Sequence, residues 1–492
     1  MPSDKQPAAR RRRRAPLFLL LLAAVAGLEL IAGFDSAAAE PNQPRQASGR
    51  RPQLAATAPL QQRQQAQQLP TQLQANLQAQ LQSQGQQTQQ QAQQQQTQQQ
   101  QQAVQSLQPA EASRTRSFRP ARRPRFPQRD AYVILGFNDL GMHCMNEDFS
   151  QLCILPPFNT LHAQVIQRRR EPRIIDAGVE VKYRIPGNTT SVTKTNFWEH
   201  DVDLFGVDMP ADVGLTGSTL EGSMTPTGDN DWSVVGVPLT PITDSGALNA
   251  YKLAEISVES QGQVLAITHA VAPVSWEISC NLCHEPGMPG PMVDADILAK
   301  HDAKHNTQLL GGPSVLCASC HFDPALGTPG VPGVSSLSEA MHASHAGRMQ
   351  PVFDMGLTNE CYACHPGFET NCQRDVHFAK GIFCDSCHGD MAAVGDPTRI
   401  PWVDEPTCGG CHKAMQPEFH YEEPGKLFKE SRGHGGVLCA SCHGSPHAVG
   451  PAVTPQDNVQ AIALQGHAGP LNECTVCHTT RPGSKFEHHF DD

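Results

Sequence analysis

The sequence predicts a multidomain chain with three unlike parts. These are a disordered Gln-rich N-terminal segment, a β-rich, sandwich-like domain, and a C-terminal region of short helices with little regular secondary structure. Three observations predict it. More than half of residues 61–107 are glutamine. Six runs rich in β-branched residues fall between positions 131 and 276, punctuated by Gly, Pro, Asn and Asp. From position 277 onward Gly and Pro are everywhere, and one short Cys/His motif returns again and again. The 492 residues suffice for two or three domains, yet aromatic residues make up only 5% of them. Such a chain is short of apolar filler for its interior.

Residues 1–39 read as a signal peptide. Arg10 to Arg14 form a charged start, an apolar run from Ala15 to Gly33 follows, and Ala37-Ala38-Ala39 offers a small-residue cleavage site. The alternative is an uncleaved anchor, because the run is nearly long enough to span a bilayer. No cysteine precedes Cys144, so no lipoprotein acylation site is present. Either way the body is expected outside the cytoplasm, in the periplasm or at the cell surface. Residues 40–130 are a Gln/Arg-rich linker whose composition does not support a core of its own. Its arginine-rich end, Arg114 to Arg129, suits a tether to an anionic membrane or surface. Charge is segregated: the formal net charge is −11, residues 1–39 contribute +3 and residues 40–130 contribute +8, which leaves −22 on residues 131–492. An acidic body argues against nucleic acid as its partner.

Residues 131–276 form the β-rich domain. The expected strands are "AYVILGF", "AQVIQRR", "VEVKYRI", "DWSVVGVPL", "KLAEISVES" and "QVLAITHAV". Six short runs of this kind suit a sandwich or a small barrel.

Residues 277–492 carry the motif Cys-x-x-Cys-His seven times. The copies are Cys280/Cys283/His284, Cys317/Cys320/His321, Cys361/Cys364/His365, Cys384/Cys387/His388, Cys408/Cys411/His412, Cys439/Cys442/His443 and Cys474/Cys477/His478. Their starts are 37, 44, 23, 24, 31 and 35 residues apart, too irregular for a solenoid. Structural zinc takes four protein ligands, usually from paired Cys-x-x-Cys units, which an odd number of units fits poorly. Redox dithiols do not need the adjacent histidine. Covalent haem accounts for every position: two thiols join one porphyrin, and the histidine becomes an axial ligand of its iron. Seven covalent haem c groups are therefore expected in a heptahaem cytochrome c domain. Porphyrins would also fill the interior that aromatic side chains leave short.

Eleven further histidines lie between positions 301 and 489, where a second axial imidazole on every iron needs seven. The candidates are His301, His305, His342, His345, His377, His434 and His447, which sit near motifs. His301/His305 and His342/His345 are spaced to share a helix face. A methionine such as Met341 or Met415 is a conceivable substitute on one iron.

With these motifs the chain resembles the exported multihaem c-type cytochromes of respiratory, often metal-reducing, bacteria. The resemblance extends to "LCASCHFDPALGTPG", "PWVDEPTCGGCH", "CHGSPHAVGP" and "DNVQAIALQGHAG", and more weakly to "NDLGMHCMNEDFS" and "ILPPFNTLHAQVI". It implies electron transfer through closely packed, mostly bis-His haems. The implied partners are redox proteins, other cytochromes or an extracellular electron acceptor.

In the front domain, Met142, His143, Cys144 and Met145 are adjacent soft ligands. Three readings stand: a disulfide between Cys144 and Cys153, a haem cap by His143, or copper. Cys372 is left over. For the whole chain, the leading expectation is a non-catalytic electron carrier. An oxidoreductase acting on a nitrogen or sulfur oxyanion at one open haem is the first alternative, although no motif replaces its histidine. A subunit of a haem-bearing filament is the second.

Overall fold

The computed structural model describes residues 131–357, 359–483 and 488. The expected signal peptide and linker, and His489, lie outside the described residues. All six expected runs are strands, and shorter ones join them. In chain order the strands are β1 (Tyr132–Asn138), β2 (His143–Cys144), β3 (Leu152–Cys153), β4 (Asn159–Gln167), β5 (Arg173–Ile175), β6 (Glu180–Arg184), β7 (Glu221–Ser223), β8 (Thr225–Pro226), β9 (Trp232–Val237), β10 (Tyr251–Ser260), β11 (Gln263–Ser275) and β12 (Val315–Leu316). One five-stranded sheet runs β1-β4-β9-β8, with β5 also on β4; a second runs β2-β11-β10-β6-β7.

The two sheets share one core. Ile134, Leu161, Ala163 and Val165 from the first meet Val181, Ala254, Ile256 and Val258 from the second. β10 buries alternate residues (Lys252, Ala254, Ile256, Val258), as a strand with one covered face should. At Gly136 the sheets come so close that a Cβ would stand 2.8 Å from Ile256 Cδ1. β1 and β4 differ from β10, because both their faces are covered. Val133, Leu135 and Ile166 point away from the core and pack on Val476, Leu471 and Val437 of the C-terminal region. Each such side chain contributes about 1.5–3 kcal/mol when fully buried.

Polar contacts bind the C-terminal region to the same strands. β1 is an edge strand, and side chains from the far end of the chain close its edge. Gly136 N donates to Gln460 Oε1 at 2.7 Å, Gln460 Nε2 returns a bond to Gly136 O at 3.1 Å, and Asn138 N donates to Ser445 Oγ at 3.0 Å. Arg374 is fully buried. Its guanidinium meets Asp457 twice, at 2.7 and 2.9 Å, and also donates to the carbonyls of Gly141 and Cys372. Arg168 donates to the carbonyls of Thr475 and Val476, both at 2.9 Å.

Glu277 lies two residues past the end of β11. Its carboxylate accepts four consecutive backbone N–H groups, from Gly367 to Thr370, at 2.5–3.1 Å. A hydrogen bond to a charged group contributes about 1.5–3 kcal/mol. Glu277→Ala is therefore expected to cost about 3 kcal/mol and to lower the thermal midpoint of the folded protein, read by far-ultraviolet circular dichroism.

Beyond β11 the chain is mostly irregular, with short helices. The longest are Gly290–His305 and Leu337–Ala346. Among the described residues no helix is long and apolar enough to cross a membrane.

Candidate haem-binding sites

Every Cys-x-x-Cys-His motif closes one helical turn. In five of them the histidine N–H donates to the first cysteine's carbonyl: His284 to Cys280 (3.0 Å), His321 to Cys317 (3.1 Å), His365 to Cys361 (2.8 Å), His412 to Cys408 (2.9 Å) and His478 to Cys474 (2.9 Å). The other two, Cys384–His388 and Cys439–His443, are short α-helices. Residues i, i+3 and i+4 of a helical turn lie on one side. Both thiols and the imidazole of each motif therefore leave the backbone from the same face.

The motif cysteines differ in exposure. Cys283, Cys320, Cys387, Cys408 and Cys411 are exposed, while the other nine are half-buried. Cys320 differs most clearly from its own motif partner. Cys317 follows β12 directly, and the pairing of β12 with β3 packs it against the β domain, where burial pushes its thiol up to about 12. Cys320 lies one turn further on, past the end of that pairing, and is exposed. Its carbonyl accepts the N–H of Val331 at 2.7 Å, and its Sγ accepts from the neighbouring Ser319 Oγ at 3.8 Å.

Opposite each motif imidazole stands a second one. His284 faces His345 with ring centroids 6.4 Å apart, His321 faces His301 at 6.4 Å, and His365 faces His342 at 6.2 Å. His388 faces His447 at 6.0 Å, His412 faces His377 at 6.0 Å, His443 faces His488 at 6.0 Å, and His478 faces His434 at 6.1 Å. Plain aromatic packing spreads over about 4.5–7 Å. All seven separations here fall between 6.0 and 6.4 Å. With a metal–nitrogen bond of about 2 Å on each side, two imidazoles sharing one ion have centroids roughly 6 Å apart.

Many of these rings are fixed through Nδ1, which leaves Nε2 toward the partner ring. Nδ1 donates to a backbone carbonyl in His321 (Ser335, 2.9 Å), His342 (Ser338, 2.7 Å), His345 (Met341, 2.6 Å), His478 (Arg170, 2.8 Å) and His488 (His420). It donates to a carboxylate in His284 (Asp296, 2.8 Å) and His377 (Asp375, 2.9 Å). His301 donates to Thr307 Oγ1 at 2.9 Å, and Thr307 donates onward to Asp302 at 2.6 Å. Metal-bound histidines are oriented in this way, since the second nitrogen's bond fixes tautomer and ring plane. Burial also pushes His365, His443 and His447 down to about 4, so these rings are neutral and offer a lone pair at neutral pH.

Six of the seven sequence candidates for the second imidazole lie opposite a motif histidine. His305 does not. It packs against His301, centroids 4.8 Å apart, at the exposed end of its helix. The position it would have filled belongs to His488, far down the chain near the C-terminal end. Of the candidate methionines, Met415 is exposed.

The front-domain group is dispersed. Met142 and Met145 are buried, and His143 turns its Nε2 to Asp139 at 3.1 Å. Burial raises the Asp139 carboxyl, but His143 and Lys429 outweigh it and hold that carboxyl at about 2. His143 is thus committed to a carboxylate. Cys144 and Cys153 are not joined; both are free thiols. The reason is their strand partners. β2 runs beside β11, which puts Cys144 against Ser275, whereas β3 runs beside β12, which puts Cys153 against Leu316. Cys144 instead neighbours Cys372, and Cys153 neighbours Cys317. Cys372 Sγ lies 3.8 Å from His447 Nδ1.

Among the described residues, no set of three or more His, Cys, Asp or Glu side chains is arranged to hold a metal ion. The imidazoles meet in twos. Two facing imidazoles would hold a metal that arrives in its own four-nitrogen ring, and the two thiols of each motif would link that ring covalently, so the residues fit haem c. No protein-family model matches the chain, and neither a curated protein nor a solved structure is significantly similar to it.

Proposed function

We propose that this chain is an exported multihaem c-type cytochrome that carries electrons through seven covalently bound, bis-His haems. The observation that carries the reading is the pairing of all seven motif histidines with a second imidazole at 6.0–6.4 Å. The two cysteines of each motif form the thioethers. His284, His321, His365, His388, His412, His443 and His478 are the proximal ligands. In the same order, His345, His301, His342, His447, His377, His488 and His434 are the distal ones. When bound, each haem supplies a one-electron iron couple. The chain fixes both imidazoles before and after each electron arrives, so little rearranges around the iron.

The same observation favours a carrier over an oxyanion reductase. An enzyme of that kind needs one iron with an open position, and every motif histidine here has an imidazole facing it. Intact mass and pyridine haemochrome of the mature protein are expected to agree on seven haems. The oxidised protein is expected to be low-spin by electron paramagnetic resonance. Six or fewer haems in fully matured protein, or one stoichiometric high-spin haem that binds nitrite or sulfite, overturns the reading.

A further inference from the structure

We infer that the seven haem positions form one unbranched line in the order second, first, third, fourth, fifth, sixth, seventh motif, with the second and seventh as its two ends. The inference rests on the haem reading above and adds the spatial order, which differs from the chain order at its start.

The links are carried by shared elements. The helix Gly290–His305 joins the second and first motifs: its Asp296 holds His284, while its His301 faces His321. Cys280 and Cys317 also lie within each other's electrostatic reach. The helix Leu337–Ala346 joins the first and third, presenting His345 to His284 and His342 to His365. Cys364 neighbours both Cys280 and Cys283. Between the third and fourth motifs Cys361 and Cys384 are neighbours, and Asn359 Nδ2 donates to Asp385 at 3.3 Å.

His377 ties the fourth to the fifth. Its ring faces His412, while its carbonyl accepts the N–H of Ile382 at 3.0 Å, just ahead of Cys384. Cys387 neighbours Cys411. Tyr421 stands between the fifth and sixth, with its ring 6.3 Å from His412 and 6.1 Å from His488. Cys408 neighbours Cys439. Between the sixth and seventh, Leu471 N donates to Cys442 O at 2.9 Å, and Cys442 neighbours Cys477.

The β domain keeps the two ends apart. Just before the second motif, β12 pairs with β3. The loop after β3 is bonded to Asn146, Met145 N donates to Ser275 O, and Asn159 Nδ2 donates to Pro273 O. Through this series of contacts the second motif is tied to the side of the β domain on which β4 begins. The seventh is held just past the last residue of β4, where Thr479 N donates to Arg169 O at 2.8 Å and His478 bonds Arg170 O. A strand of nine residues is about 30 Å long. The two ends of the line are thus held at opposite ends of β4, and the line does not close into a ring.

The test locates the irons of the crystallised holoprotein by anomalous scattering at the iron edge, with haem content measured on the same sample. The expected result is seven irons whose motifs follow the stated order, each interior iron having two nearest neighbours and the second and seventh lying at opposite ends. Seven irons with the second motif between two others, or with the second and seventh adjacent, overturn the order while leaving the haem reading intact. Fewer than seven irons removes the haem reading itself, and the order with it.

Discussion

Replacing His488 by alanine is expected to turn about one seventh of the haem from low-spin to high-spin, while His305→Ala leaves the spin state of the whole protein unchanged. The two histidines separate position from composition. His305 lies one helical turn from a proposed ligand, yet it packs on the back of His301. His488 is remote in sequence from every other ligand except His478, yet its ring stands 6.0 Å from His443 and its Nδ1 is fixed by the His420 carbonyl. On the proposed ligation, losing it would leave His443 as the one protein ligand of that iron. Electron paramagnetic resonance of the oxidised protein reads the change directly. His488→Met is expected to stay low-spin and raise the potential of that one haem, since a thioether ligand favours the reduced iron. A spin change in His305→Ala, or none in His488→Ala, would mean that this pairing is wrong.

The largest loss of stability is expected from Arg374→Ala, about 3–5 kcal/mol. Arg374 is fully buried, and Asp457, its bidentate partner, is left without a counter-charge when it goes. The pair also joins three distant parts of the chain, because the same guanidinium serves Gly141 and Cys372 and stands 5.1 Å from the ring of Tyr251. Much of the cost is the stranded carboxylate rather than the lost attraction. The double variant Arg374→Met/Asp457→Leu, which removes both charges, is therefore expected to recover most of the stability. Urea midpoints of the wild type, both single variants and the double variant check this. A double variant no more stable than Arg374→Ala would refute the account.

His305 and His488 also mark where sequence reading stops. The six longer strands were legible because their apolar pattern is local. The continuous run of β1 could be told from the alternation of β10, but its cause could not, since the outer cover comes from Val476 and Leu471. The placing of each motif imidazole beside its two thiols was legible because the motif fixes all three within one turn. The exposure of each motif thiol was not, because Cys317 and Cys320 share a motif and only the β12–β3 pairing separates them. The facing imidazoles were legible as an excess of histidine, but each pairing depends on tertiary geometry. His301 and His305 share a helix and look alike in sequence; only the path after the helix decides that His301 meets His321. His488 gave a single weak signal, a histidine near the end of a chain otherwise full of motifs. Cys144 and Cys153 looked like partners because they are close in sequence. Pairing with β11 and β12 sends them to different neighbours, a long-range effect that spacing does not encode.

The closed edge of β1 has a consequence for the chain before it is complete. Gln460 and Ser445 lie 324 and 307 residues beyond the groups they cover. Until both are in place, β1 shows unpaired N–H and C=O groups beside an apolar face, which is a template for pairing with another copy of itself. On the proposed haem reading, the residues that close it belong to a segment short of apolar filler that needs its prosthetic groups to fill its interior. Failure to mature therefore leaves a sticky strand, and immature chains are expected to aggregate or be degraded rather than accumulate as soluble protein.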